Sequence, residues 1–404
     1  MAKSKKNKWV KKRHQFIFFF LRIVVFIFLK IVYRYKFDNF KIKKNKKYII
    51  ICNHQATLDP LFLGIAFNKM PYFVTNDDLV HLKYASWWLI NCFGIIPKSK
   101  GKSDLLTVKT MLQVLKEGGS VALFPEGNRT FTGELCYINP AIIKFIKNAK
   151  ADVVIYNIEG GYGVDPRWSR KGRRGSLRGK VRKVLSYNEV QNLNLDELEN
   201  IITKSLNVLE APSSTKYNSK YRAEHIERVL YICPECQSKN QLESKDSTFS
   251  CLCCGSTWEY TPNLTISKDN ALYKYKTVYE WYKMQLNDVI STNYQDGETI
   301  FIDQDIEIYA SVGKEKKIFL DSGKVFLTPS QITIEGKESR IFNLDEIEGV
   351  CVTGKQQIMF RQDDCTYTIK NNKEKRNNFN PVKYVTTINH LKYNEEGKDE
   401  YFGI

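Results

Sequence analysis

Residues 48–59 read Tyr-Ile-Ile-Ile-Cys-Asn-His-Gln-Ala-Thr-Leu-Asp, an apolar run that stops at an Asn-His pair with an aspartate five positions after the histidine. Tyr48 to Cys52 is short, rich in β-branched residues and without polar alternation, so it predicts a strand covered on both faces. Working outward, a helical pattern covers Leu58 to Phe67, Tyr72-Phe-Val-Thr75 forms another short apolar run, and Leu105 to Lys116 again reads as helix. The segments Ser120-Val-Ala-Leu-Phe-Pro-Glu-Gly127 and Ala151-Asp-Val-Val-Ile-Tyr-Asn-Ile-Glu-Gly-Gly161 add two more buried-strand candidates. Strands alternating with helices from Tyr48 to about Ser205 predict an α/β domain with a mostly parallel sheet flanked by helices. Sites in such sheets form beyond the carboxyl ends of strands. Asn53-His54 and Glu126-Gly127 fall at two such ends.

The 404-residue chain is long enough for two or three domains. Its net charge of +18 is local: the first fifty residues hold sixteen Lys/Arg against one acid, Asp38. The basic residues bracket Phe16 to Tyr33, an apolar stretch broken only by Arg22 and Lys30, with Lys41 to Lys47 just beyond. A basic excess around an apolar run points to anionic membrane lipids and away from nucleic acid. No small-residue cleavage site follows, which argues against a removed signal peptide. The run barely reaches the roughly 20 apolar residues of a spanning helix, and positive charge at both ends removes the bias that orients a crossing. The favoured reading is a helix lying in the cytosolic leaflet, its cations snorkelling to headgroups, with a true span as the alternative. A second basic run, Arg167 to Lys183, has nine Lys/Arg and no acid, and fits a solvated loop or a membrane-facing surface equally well.

Ten cysteines raise the question of disulfides, but Cys52, Cys92, Cys136, Cys351 and Cys365 are isolated and read as buried free thiols of a reducing compartment. The remainder form two Cys-x-x-Cys knuckles, Cys233/Cys236 and Cys251/Cys254, fourteen residues apart, with Cys253 left over. This spacing predicts a four-thiolate structural zinc site, resembling a zinc ribbon, with Trp258 over a small core. Balanced charge and only one aromatic, Phe249, between the knuckles offer no stacking platform for nucleic acid. The organisation expected is a membrane-anchoring segment (1–47), an α/β domain (48–210), a polar linker (211–229), the ribbon (230–262), a helical connector (263–297) and a β-rich domain (298–404) that loosely resembles a pleckstrin-homology-like or GRAM-like barrel. Such barrels bind lipids or protein partners.

His54 and Asp59 have the residue types of a general base and the carboxylate that orients it. Phe124-Pro-Glu-Gly-Asn-Arg-Thr130 ends a second strand with a carboxylate, a glycine and a cation, and Gly94-Ile-Ile-Pro-Lys-Ser-Lys100 supplies further cations. Gly101-Lys102-Ser103 is not a phosphate loop, because Ile96 stands where its first glycine belongs. Together the blocks resemble the glycerolphosphate acyltransferase family, in particular its bacterial 1-acylglycerol-3-phosphate acyltransferases, over about residues 15 to 205. The Asn-His-x-x-x-x-Asp block is matched in full; Asn128 replaces Thr and Thr130 replaces Ser in the Phe-Pro-Glu-Gly block, and Lys100 replaces an Arg. The fourth block, a Val-Pro-Val strand, appears as Val154 to Ile158 without its proline.

The resemblance implies transfer of a fatty acyl group from acyl-CoA or acyl carrier protein to the sn-2 hydroxyl of lysophosphatidic acid at the cytoplasmic face of the cell membrane. His54 would be the base and Asp59 its partner, and Asn53, Lys98, Lys100, Glu126, Gly127 and Arg129 the substrate-binding residues. Arg129 would fork onto the phosphate, Glu126 would orient Arg129 or a substrate hydroxyl, and Gly127 would allow close backbone approach. Acylation of glycerol 3-phosphate or another lysophospholipid remains open. So does an inactive membrane-tethered scaffold recruiting protein partners through the ribbon and the β domain.

Overall fold

The computed structural model describes residues 8–76, 91–98, 105–313, 316–372 and 379–393. Lys100, the Gly101-Lys102-Ser103 triplet and residues 1–7 lie outside the described residues. The chain divides into two compact units, one of Met1–Asn128, Ile138–Val164 and Gly175–Val208, the other of Arg129–Tyr137, Asp165–Arg174 and Leu209–Ile404.

The first unit opens with helix α1 (Lys12–Tyr33), followed by β1 (Lys36–Phe37), β2 (Tyr48–Cys52), α2 (Asp59–Ile65), β3 (Tyr72–Asn76) and β4 (Ile96–Lys98). Then come α3 (Leu105–Lys116), β5 (Val121–Leu123), α4 (Pro140–Asn148), β6 (Asp152–Glu159), α5 (Gly161–Val164), β7 (Arg178–Leu185), α6 (Tyr187–Asn192) and α7 (Leu195–Leu206). The sheet order is β1-β7-β6-β2-β5-β3-β4. β2 runs parallel to β5 and β6, and β3 parallel to β4 and β5. β7 is antiparallel to β6 and carries β1 at the edge. The result is a mixed sheet with a parallel centre. All five residues of β2 are buried, as an uninterrupted apolar run in a central strand requires. Local sequence sets the later helix starts: Ser186 with Glu189, and Asn194 with Glu197, form reciprocal capping boxes on α6 and α7.

Two features of the amino-terminal segment differ from the sequence reading. Arg22 does not reach for headgroups. Its Nε donates to the Ile65 carbonyl at 2.8 Å and its Nη2 to Asn39 Oδ1 at 3.1 Å, so the cation sits at the carboxyl end of α2, where the helix dipole favours positive charge. Lys30 is exposed and lies over the Phe26 ring. The chain also enters the fold well before residue 47, because Tyr35 and Ile42 are buried and β1 pairs with β7.

In the second unit, β8 (Leu242–Lys245), β9 (Thr248–Cys251), β10 (Thr257–Tyr260), β11 (Ile266–Lys268) and β12 (Ala271–Leu272) form an antiparallel meander beside the cysteine knuckles. Trp258 stacks on Phe249, and Trp281 of helix α8 (Val278–Ser291) meets the Trp258 ring edge-on at 5.0 Å. Strands β11 and β12 and this helix therefore complete the small core, although they fall in the segment read as a connector. A second antiparallel sheet follows, with β13 (Phe301–Val312), β14 (Ile318–Leu327), β15 (Gln331–Glu335), β16 (Ser339–Asn343), β17 (Glu348–Thr353), β18 (Gln357–Gln362) and β19 (Cys365–Asn371). Its order, β16-β15-β14-β13-β19-β18-β17, places first and last strands side by side in a half-barrel. Helix α9 (Pro381–Tyr393) follows it, with Val382, Val385 and Ile388 buried.

Candidate active site

Parallel pairing of β2 with β5, Ile51 opposite Leu123, brings the two motif-bearing loops to the same edge of the sheet, one strand spacing of about 4.8 Å apart. His54 lies two residues beyond β2 and Glu126 three beyond β5. Glu126 Oε1 accepts the backbone N–H of His54 at 2.6 Å. The glutamate thus fixes the loop that carries the histidine. Gly127 follows at φ +67 and donates its N–H to the Phe124 carbonyl. A Cβ there would meet nothing within 4 Å, so the residue is needed for its left-handed backbone.

Asp59 is fully buried in the first turn of α2. Its Oδ2 accepts from the backbone N–H groups of Gln55 at 2.7 Å and Ala56 at 2.8 Å, and lies 2.9 Å from His54 Nδ1. A carboxylate only accepts, so Nδ1 carries the proton and the lone pair sits on Nε2, the position a general base uses. The imidazole stacks on Phe124 with centroids 4.4 Å apart, and its side chain keeps 20% exposure. One ring face and one nitrogen are therefore fixed by protein.

Asn53, expected to bind substrate, serves the scaffold. Its Nδ2 donates to the Ile158 carbonyl at 2.9 Å and its Oδ1 accepts the Ile158 N–H at 2.8 Å, clamping the loop to β6. Gln55 supports the loop from another side. It is buried, and a Cβ on Gly161 would come within 3.0 Å of its own Cβ, so the close approach of α5 depends on that glycine. The Glu159-Gly-Gly-Tyr-Gly163 run was the sequence signal for this packing. Cys52 is completely buried, and burial together with the Asp59 and Glu126 carboxylates pushes its thiol pKa well up. A thiol held neutral is a poor nucleophile.

Lys98 ends β4 at the sheet edge, three strand positions from β2 and so roughly 14 Å to the side. Arg129, three residues after Glu126 in the chain, belongs to the second unit, where its Nη1 donates to Asp165 Oδ2 at 3.2 Å. Asp165 was not anticipated, and nothing local in the sequence marks it as the partner of Arg129.

The four knuckle sulphurs, Cys233, Cys236, Cys251 and Cys254, lie within 4.8 Å of one another. The Cys233–Cys254 and Cys236–Cys251 pairs are each 3.7 Å apart. Tetrahedral zinc with Zn–S bonds of about 2.3 Å sets its sulphurs roughly 3.8 Å apart, so the set fits such an ion. The two knuckles repeat one backbone pattern: Cys233 N–H donates to Ser238 and Cys251 N–H to Ser256, while Gln237 and Gly255 both adopt positive φ. Cys253 is exposed.

The Acyltransferase family profile matches residues 34–158. A probable 1-acyl-sn-glycerol-3-phosphate acyltransferase of Mycoplasma genitalium is 24% identical over 192 residues, 44% of this chain and 71% of that protein. The 1-acyl-sn-glycerol-3-phosphate acyltransferase of Saccharomyces cerevisiae is 32% identical over 92 residues, 22% of this chain and 30% of its own length. Among solved structures, the 1-acyl-sn-glycerophosphate acyltransferase from Thermotoga maritima is similar at a TM-score of 0.39 and 16% identity, covering 48% of this chain and 79% of that one. The profile match spans both loops of the His54 and Glu126 arrangement, and the chain is an enzyme of the acyltransferase type.

Proposed function

We propose that the protein is a membrane-bound acyltransferase that transfers a fatty acyl group from acyl-CoA or acyl carrier protein to the sn-2 hydroxyl of 1-acylglycerol 3-phosphate, giving phosphatidic acid. The observation that carries this reading is the His54–Asp59 pair at 2.9 Å, held at a parallel strand exit by Glu126. An alcohol is a weak nucleophile at neutral pH. His54 Nε2 takes its proton as the oxygen attacks the thioester carbonyl. The C–S bond then breaks, and the imidazolium returns the proton to the leaving thiolate. Asp59 stabilises the imidazolium while it exists. No covalent enzyme intermediate is needed, in keeping with the raised thiol pKa of Cys52.

Arg129 binds the acceptor phosphate through its planar fork, and the cations at Lys98 and Lys100 extend the positive field. The substrate names of the relatives support this choice of acceptor. Glycerol 3-phosphate or another lysophospholipid would use the same groups. An inactive scaffold is disfavoured because the base, its carboxylate and the clamp on the loop are all assembled.

The apolar face of α1 lies in the cytosolic leaflet. Phe16, Phe19, Phe20, Val24, Ile27, Phe28 and Ile31 are exposed, and free thiols suit the reducing side of the membrane. The four-cysteine cluster holds one structural zinc, whose chemistry is to crosslink the knuckles; four thiolates leave no open position for catalysis. The carboxyl-terminal half-barrel recruits a lipid or protein partner. The test is direct: purified protein given an acyl-CoA or acyl carrier protein donor and 1-acylglycerol 3-phosphate should make phosphatidic acid, and His54→Ala, still folded, should not. Full turnover by the variant would refute the mechanism.

A further inference from the structure

Arg167 is 1% exposed, and three of its guanidinium hydrogen bonds go to neutral carbonyls. Nε donates to Gly354 and Nη2 to Val352, each at 2.8 Å, and Nη1 donates to the carbonyl of Arg129 at 2.8 Å. Its Cζ lies 4.3 Å from the centre of the Phe131 ring. Two residues earlier, Asp165 holds the Arg129 side chain. The short Asp165-Pro166-Arg167 stretch therefore grips Arg129 at both ends, carboxylate to guanidinium and guanidinium to backbone carbonyl.

The same stretch is seated on the β17–β18 turn. Lys355 Nζ donates to the Ser169 carbonyl, and Arg228 joins the Trp168 carbonyl at 3.0 Å to Gln356 Oε1 at 2.9 Å. Burying a cation carries a desolvation cost, so a fork with its bonds divided between two remote segments implies a structure organised around it. Burial and the neighbouring Arg129 guanidinium both push its pKa down.

We propose that Arg167 is a positioning residue through which the carboxyl-terminal sheet presents Arg129 to the acceptor phosphate, so that acceptor affinity depends on the β17–β18 turn. This inference rests on the phosphate-binding role proposed for Arg129. Lysine in place of Arg167 keeps the charge but cannot bond Val352, Gly354 and Arg129 together. The full-length enzyme, compared as Arg167→Lys, Arg129→Lys and the double variant, provides the test, with initial rates on 1-acylglycerol 3-phosphate and on phosphate-free monoacylglycerol.

Arg167→Lys should raise KM for the phosphorylated acceptor roughly five- to fiftyfold, with kcat and the donor KM within about twofold, the scale of losing charge-assisted bonds in a fork. In the Arg129→Lys background the same change should add less than about twofold, since its effect passes through Arg129. An unchanged acceptor KM, an equal loss on both acceptors, or full additivity in the double variant would overturn the proposal. Should Arg167→Lys fail to accumulate, Phe131→Leu, which removes the ring beneath the guanidinium and keeps apolar bulk, takes its place in the cycle. If Arg129→Lys itself leaves the acceptor KM unchanged, the phosphate role of Arg129 fails and this inference with it. An effect of Arg129→Lys alone ends only the role given to Arg167.

Discussion

Replacing Asp59 by asparagine separates orientation from charge. Two backbone N–H groups, from Gln55 and Ala56, already point at Oδ2, so the oxygen of the new amide should take that place and turn its NH2 toward the Oδ1 side. His54 Nδ1–H then still has an acceptor, and the tautomer and ring position persist. What disappears is the negative charge beside the imidazolium. A hydrogen bond to a charged group contributes about 1.5–3 kcal/mol and a neutral one about 0.5–1.5, a difference of roughly 1 to 2 kcal/mol. Because the imidazolium forms only along the reaction, the loss should appear in kcat and leave KM alone. The expected fall is about five- to thirtyfold. Asp59→Ala should do more, since it strips both backbone donors of their acceptor at about 1–3 kcal/mol each. Its thermal midpoint should drop as well. Thiol release at saturating acceptor, measured for wild type, Asp59→Asn, Asp59→Ala and His54→Ala, gives the ranking. An Asp59→Asn enzyme within twofold of wild type, or as dead as His54→Ala, would refute this account of the pair.

Three other outcomes are expected. Unstripped protein should contain about one zinc per chain, and replacing Cys233, Cys236, Cys251 or Cys254 by serine should abolish it; metal analysis decides, and an absence in wild type removes the zinc assignment. Cys52→Ala should keep turnover within a few-fold of wild type, because burial holds that thiol neutral; inactivation without loss of fold would reopen an acyl-cysteine route. Phe19→Glu combined with Val24→Glu, at two exposed positions of α1, should weaken binding to anionic vesicles by several kcal/mol while leaving the thermal midpoint nearly unchanged, and high salt should release the native protein only in part. Release by salt alone would make the tether purely electrostatic.

The sheet exits were legible because they depend on short-range patterns. An uninterrupted apolar run predicts a covered strand, and parallel connection of two such runs puts their following residues on one edge. The His54–Asp59 pair follows from a five-residue spacing, but the partners of the other polar side chains were not legible. Asn53 reads as a ligand until Ile158, a hundred residues away, supplies both a donor and an acceptor for its amide. Glu126 accepts the N–H of His54, 72 residues earlier in the chain, and Arg129 pairs with Asp165, 36 residues later, and neither contact is marked by local spacing. The basic run from Arg167 misled in another way. Arg167 and Arg173 are buried, with Arg173 over the Trp168 ring, so part of the run is neither a solvated loop nor a membrane surface. Composition counts charges without saying which are desolvated, and here carbonyls and rings accept them.

The geometry of α1 bears on how the first unit meets a bilayer. A helix of 22 residues is about 33 Å long, enough to span the hydrocarbon core. Yet its attachments run along its length: Gln15 exchanges hydrogen bonds with the Met70 backbone, Arg22 reaches Ile65, and Leu29 is buried. His14, Arg22, Val25 and Leu29 follow helical spacing and make one narrow stripe toward the unit. A helix crossing the membrane would have to release these contacts and expose Arg22 to hydrocarbon without its carbonyl partner, at a cost of several kcal/mol. A helix lying in the interface keeps them and still buries the phenylalanines, valines and isoleucines on its other faces. On the interfacial placement proposed for α1, the site at the carboxyl ends of β2 and β5 would draw its acceptor from the same leaflet, which the proposed lysophospholipid substrate allows without leaving the membrane.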